Sequence, residues 1–191
     1  MNFREVYHSS KTLGLKKIIP HKSTHGKSWV YATKDIVMSA VFLGDLGGDF
    51  TCAVGRDPET GKPFICERFK EAFDLRYDEV KGSIYVLPGE RFIDAKTQWE
   101  EEVVSEETVV PLREIQVNNA KEYLLRLAEE QKLIIKYYPE KITGIPRDDE
   151  DIVYRAAIWS RQFGNKTLEQ VKKYHPNLLD RVLRAIQENK Y

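Results

Sequence analysis

Short apolar alternations broken by Gly, Pro and Asp run through the first two thirds of the chain, and stripes at helical spacing fill the last third. Val6 and His8 alternate with Glu5 and Tyr7, which predicts a first strand. The aromatic and β-branched run Ser28-Trp29-Val30-Tyr31-Ala32 predicts another. Thr33 is then the expected N-cap of a short buried helix over residues 36–42, with Asp35 in its first turn and a stop before Gly44. Residues 50–54 and 64–68 flank the turn signal Asp57-Pro58-Glu59-Thr60-Gly61 and read as a hairpin. Residues 82–87 form a strand ending at Pro88-Gly89, and a last strand runs from Trp99 to Ser105 and on toward Val110.

Beyond residue 117 the period changes to that of helices. Ala120, Leu124, Leu127 and Ala128 share a face behind Asn118 or Asn119 as cap. Ile152, Ala156, Trp159 and Phe163 repeat the pattern up to a Gly164-Asn165 stop. Thr167 with Gln170 reads as a capping box, and Leu179, Val182, Leu183 and Ile186 form a final stripe. The Pro-, Gly- and Asp-rich stretch 139–151 reads as a loop. Strands followed by helices predict an α+β chain in two parts. Residues 1–117 form a β-rich domain with a cleft between two small sheets, and residues 118–191 a helical segment packed on it as a separate layer.

Composition narrows the function classes. The 191 residues are 41% hydrophobic and 31% charged, and 30 basic residues offset 30 acidic ones. No global field therefore steers the chain toward nucleic acid or anionic lipid. The opening residues lack the apolar run of a secretory signal, and no stretch approaches the length of a membrane span, so the expected location is the cytoplasm. Cys52 and Cys66 stand at equal distances from the hairpin centre. A disulfide between them is conceivable, but two buried thiols are the expectation. Phosphate-binding loops of the Gly-x-Gly-x-x-Gly or Walker type are absent. His21 and His25 flank Lys22-Ser23-Thr24 without a third ligand nearby, so no metal site is expected, and His175 before Pro176 reads as a turn residue.

Three places carry candidate chemistry: Tyr7-His8-Ser9-Ser10, Val30-Tyr31-Ala32-Thr33, and Glu100-Glu101-Glu102. Singly, each has a plain structural explanation as a strand histidine, a core aromatic and a solvated charge run. In order, with Leu15 through Ile19-Pro20 between the first two and Glu102-Val103-Val104-Ser105 following, they resemble the ADP-ribosyltransferase fold. The likeness is to its histidine–tyrosine–glutamate branch, that of diphtheria toxin and the poly(ADP-ribose) polymerases. It spans residues 4–112.

The resemblance implies a split β-sheet domain that takes NAD as substrate and passes ADP-ribose to an unidentified acceptor. It implies that His8 holds the nicotinamide ribose, that the backbone beside Ser9 and Ser10 clamps the carboxamide, and that Tyr31 stacks on the nicotinamide ring. Glu102 then bonds a ribose hydroxyl and faces the cation that develops as the glycosidic bond breaks. The resemblance also lets Lys22 and Lys27 meet the pyrophosphate, with solvated loop lysines as the commoner case. Ser9 departs from the glycine usual after the histidine. The glutamate run leaves the register open: in a strand Glu100 and Glu102 share a face and Glu101 points away. Glu100-x-Glu102 also resembles the paired glutamates of the arginine-specific toxins, whose accompanying Ser-Thr-Ser strand is missing here. Besides an NAD-cleaving enzyme, a catalytically silent nucleotide-binding or interaction module of the same fold and an unrelated α+β scaffold remain open.

Overall fold

The computed structural model describes residues 3–22, 27–97 and 99–189. In chain order its elements are β1 (Glu5–Ser10), β2 (His21–Lys22), β3 (Ser28–Thr33), α1 (Ile36–Val41), β4 (Cys52–Arg56), β5 (Pro63–Glu67) and α2 (Ala72–Tyr77). There follow β6 (Gly82–Pro88), β7 (Glu102–Ser105), β8 (Arg113–Val117), α3 (Ala120–Glu129), β9 (Ile134–Lys136), α4 (Glu150–Phe163), α5 (Asn165–Tyr174) and α6 (Leu179–Gln187). The chain is α+β, and no described helix is long and apolar enough to cross a membrane.

Contacts divide it into two compact units, each discontinuous in sequence: residues 1–44 with 77–133, and residues 45–76 with 134–191. The expected single cut after residue 117 is not where the contacts part. The 50–68 hairpin falls in the second unit with α4, α5 and α6, whereas α3 belongs to the first.

The first unit is a six-stranded sheet in the order β2-β3-β1-β6-β8, with β7 added to β3, all pairs antiparallel. β1 and β6 pair along their whole length, from Glu5↔Pro88 to Ser10↔Ser83. β1 and β3 share one register pair, Tyr7↔Thr33, and diverge beyond it. The expected cleft between two small sheets is thus a split inside one sheet. Alternation does the rest: Val6, Val30, Ala32, Tyr85, Leu87 and Val103 face a common core with Ile18 and Val109, which bridge the loops below. Burial of such side chains stabilises by about 1.5–3 kcal/mol each.

Asp35, and not Thr33, caps α1, its carboxylate accepting the Val37 N–H at 2.8 Å. Thr33 stays in β3, opposite Tyr7 on one side and Glu102 on the other, and turns its hydroxyl to the Asp35 carbonyl. Asn119 caps α3 as expected.

In the second unit β4 and β5 make the expected hairpin, extended by β9 running parallel to β5. Its register pairs Cys52 with Glu67 and Cys66 with Ala53. The two cysteines therefore point to opposite faces, and both are free. Charged groups are buried here beside partners of opposite charge or backbone donors, though the buried Nε of Arg68 has no hydrogen-bond partner among the described residues. Arg68, fully enclosed, meets Asp151 at 3.0 and 2.5 Å and Asp149 at 3.4 Å, while Glu67 accepts the N–H groups of Phe73 and Tyr138. α5 begins directly at Asn165 after Gly164 (φ 57°), so Thr167 lies inside the helix and is not a cap.

Candidate functional site

Where β1 and β3 part, a pocket of about 280 Å³ opens, lined by Tyr7, His8, Ser9, His21, Tyr31, Ala32, Thr33, Ser39, Phe42, Trp99 and Glu102. All belong to the first unit. Larger open depressions occur in the second unit, one of about 810 Å³ in the 138–147 loop. That one is formed by a single loop, whereas the smaller pocket gathers side chains from β1, β3, α1 and β7.

His8 projects from β1 into the split. Its Nδ1 lies 2.7 Å from the Tyr31 carbonyl oxygen, where a ladder partner would stand if the strands stayed paired. A carbonyl only accepts, so Nδ1 carries the proton and Nε2 keeps its lone pair in the neutral ring. Burial pushes the imidazole below its ordinary pKa of 6.5; the bond to Tyr31 opposes this, and the nearby His21 adds to the lowering. His8 is thereby held neutral at physiological pH, a donor at one nitrogen and an acceptor at the other.

Tyr31 stands between two core residues, Val30 and Ala32, so strand alternation turns its ring to the opposite side. There it leans against His21, ring centroids 5.6 Å apart. Glu102 is the first residue of β7 and faces Thr33, while Tyr31 faces Val104, so Tyr31 and Glu102 are diagonal neighbours on one face. The next residue, Val103, turns into the core. Glu102 lines the pocket; Glu100 and Glu101 do not. The strand starts only at Glu102, because a turn closed by the Glu102 N–H on the Trp99 carbonyl (3.1 Å) precedes it. Strand alternation therefore does not reach back to Glu100, which is exposed, and the Glu101 carbonyl accepts the Lys34 N–H.

The structure thus brings together His8, Ser9, Tyr31 and Glu102. Ser10 does not line the pocket; its hydroxyl accepts the Thr12 N–H. Lys22 and Lys27 stand on the β2–β3 edge beside His21, and His25 lies outside the described residues. His175 is buried in the second unit, its Nε2 2.6 Å from the Phe50 carbonyl.

Three lining residues escaped the sequence reading. Ser39, on α1, shares a hydrogen bond of 2.8 Å with the Ser9 hydroxyl. Phe42, just past α1, is 39% exposed and meets Trp99 edge to face at 5.4 Å. The signal was present in the i, i+3 spacing of Ser39 and Phe42, which sets them on one helical face. Trp99, expected at the start of a strand, is held in the turn before Glu102. Comparison with family models, with curated proteins and with solved structures gave no significant match.

Proposed function

We propose that the chain binds NAD in this pocket and breaks its nicotinamide–ribose bond, passing ADP-ribose to an acceptor or to water, on an ADP-ribosyltransferase-like split sheet. The observation that carries the reading is the convergence of His8, Tyr31 and Glu102, from three strands, on one pocket at the divergence of β1 and β3. Each side chain has the chemistry that the reaction asks for. His8, with Nδ1 committed to Tyr31, offers Nε2 to a ribose hydroxyl. Tyr31 presents a flat ring for the nicotinamide. Glu102 supplies a carboxylate where the ribose becomes oxocarbenium-like, stabilising charge that exists only in the transition state. The linked hydroxyls of Ser9 and Ser39 give a carboxamide polar partners. As the C1′–nitrogen bond breaks, its electron pair passes to the ring nitrogen and nicotinamide leaves neutral. The acceptor's lone pair then forms the new bond to C1′, and the proton of a hydroxyl or water acceptor passes to solvent. Lys22 and Lys27, near His21 at the β2–β3 edge, would meet the pyrophosphate.

A second reading, a silent nucleotide-binding module, is favoured by Ser9 standing where glycine is usual, with its hydroxyl already bonded to Ser39. Thermal stabilisation by NAD, about 2.7 kcal/mol at a hundred times the dissociation constant, supports both readings. Release of nicotinamide then separates them, and absence of stabilisation contradicts both.

A further inference from the structure

Thr167 and Gln170 have the spacing of a capping box, yet Thr167 stands within the first turn of α5 and no side chain caps that helix. The two side chains, one helical turn apart on a single face, instead line an open depression of about 540 Å³. All of its lining residues belong to the second unit, and none is shared with the pocket at the β1–β3 split.

One part of the depression suits a carboxylate. The first N–H groups of α5 have no carbonyl within the helix to meet, and its first turn holds no acidic residue. Lys166 in that turn is exposed and makes no ion pair among the described residues. Thr167 is only 4% exposed, yet its hydroxyl makes no hydrogen bond among the described residues. Enclosed hydroxyls are normally hydrogen-bonded, and this one borders the depression.

The apolar part is aromatic. Trp159 and Phe163, four residues apart on α4, share a face; Trp159 meets the enclosed Phe50 edge to face at 5.7 Å. Gln170 adds a half-buried carboxamide that makes no hydrogen bond among the described residues and can serve a polar atom on a ring. Asp45 and Asp49 supply carboxylates, Asp49 in a pair with Arg155. Formal charge around the depression is therefore close to balanced. A plain anion meets Asp45 and a plain cation meets Lys166, whereas a zwitterion finds an opposite charge for each end.

We propose that this depression binds a free aromatic α-amino acid whose ring carries a polar atom, tryptophan or tyrosine. The carboxylate meets Thr167, Lys166 and the start of α5, and the ammonium faces Asp45 and Asp49. The ring lies against Trp159 and Phe163 with its polar atom toward Gln170. Binding there requires no NAD, so it stands or falls apart from the NAD-cleaving reading.

The test is isothermal titration of the full chain, without NAD, against L-tryptophan, L-tyrosine and three analogues. Tryptamine lacks the carboxylate, 3-indolepropionate lacks the ammonium, and L-phenylalanine lacks the polar ring atom. L-Tryptophan is expected to bind about tenfold or more tighter than tryptamine and 3-indolepropionate, and about fivefold tighter than L-phenylalanine. Thr167→Val, which keeps the shape and removes the hydroxyl, should weaken tryptophan binding about tenfold. Gln170→Leu should abolish the preference over L-phenylalanine, and the melting temperature of each free variant reports folding. Tryptamine binding as tightly as tryptophan overturns the proposal in favour of an aromatic cage for cations. Equal binding of 3-indolepropionate overturns it in favour of a plain anion site. Failure of both L-tryptophan and L-tyrosine to bind, or undiminished affinity in a folded Thr167→Val, overturns it outright. If Thr167→Val does not fold, the analogue series on the unaltered chain decides.

Discussion

The imidazole of His8 reaches across the split between β1 and β3 to the carbonyl oxygen of Tyr31, 2.7 Å from its Nδ1. One bond therefore ties the His8 side chain to the backbone of the strand that carries Tyr31 and fixes the imidazole tautomer. His8→Asn is expected to weaken NAD stabilisation and lower nicotinamide release together, because it disturbs both holds at once. Isothermal titration with NAD alongside a release assay checks this; unchanged affinity contradicts it.

Acidification should destabilise the fold through its buried histidines. Burial lowers the pKa of His8 and of His175 below 6.5, the latter opposed by its bond to Phe50. A group with a depressed basic pKa binds fewer protons folded than unfolded, so its stability contribution is complete above about pH 6.5 and is lost as pH falls below it. Denaturant titrations between pH 7 and 5 should show this decline, and His175→Gln should flatten it.

The thiols should be inert in the native protein. Burial pushes Cys52 up to about 12 and raises Cys66 as well. A thiol reagent at pH 8 is expected to label neither until denaturant is added. Rapid native labelling contradicts this.

Two substitutions probe packing. A Cβ on Gly82 would meet the Ser10 carbonyl oxygen at 2.6 Å and Leu43 at 3.0 Å, so Gly82→Ala should cost about 1–3 kcal/mol in denaturant melts. Arg68→Ala removes the enclosed cation of Asp151 and leaves Asp149 only Lys141, and because both carboxylates reach solvent it should cost about 1–3 kcal/mol.

Much of the fold was legible because local rules decide it. Alternation marked β1 and β3, a turn signal marked the β4–β5 hairpin, and capping marked α3 and the end of α4. What escaped was non-local. β9 has three residues and finds its place only beside β5, some seventy positions earlier. β8 pairs back onto β6, where the reading had let β7 run on. The cysteine faces were misjudged by one residue, because the Asp57 N–H bonds to the Lys62 carbonyl and Arg56 pairs with Pro63, shifting the hairpin register. At the site, His8, Tyr31 and Glu102 stood out through their order in the sequence. Ser39, Phe42 and Trp99 did not, since only the tertiary fold gathers α1 and the turn before β7 around the split.

The most direct measurement is nicotinamide release from NAD by the unaltered chain, by Glu102→Gln and by Glu101→Gln, each checked for thermal stabilisation by NAD. Glu102 lines the pocket and Glu101 does not. All three should be stabilised by NAD, Glu102→Gln should lose about a hundredfold to a thousandfold in rate, and Glu101→Gln should stay near the unaltered rate. Undiminished release by Glu102→Gln, or an unaltered chain that neither binds nor cleaves NAD, contradicts it.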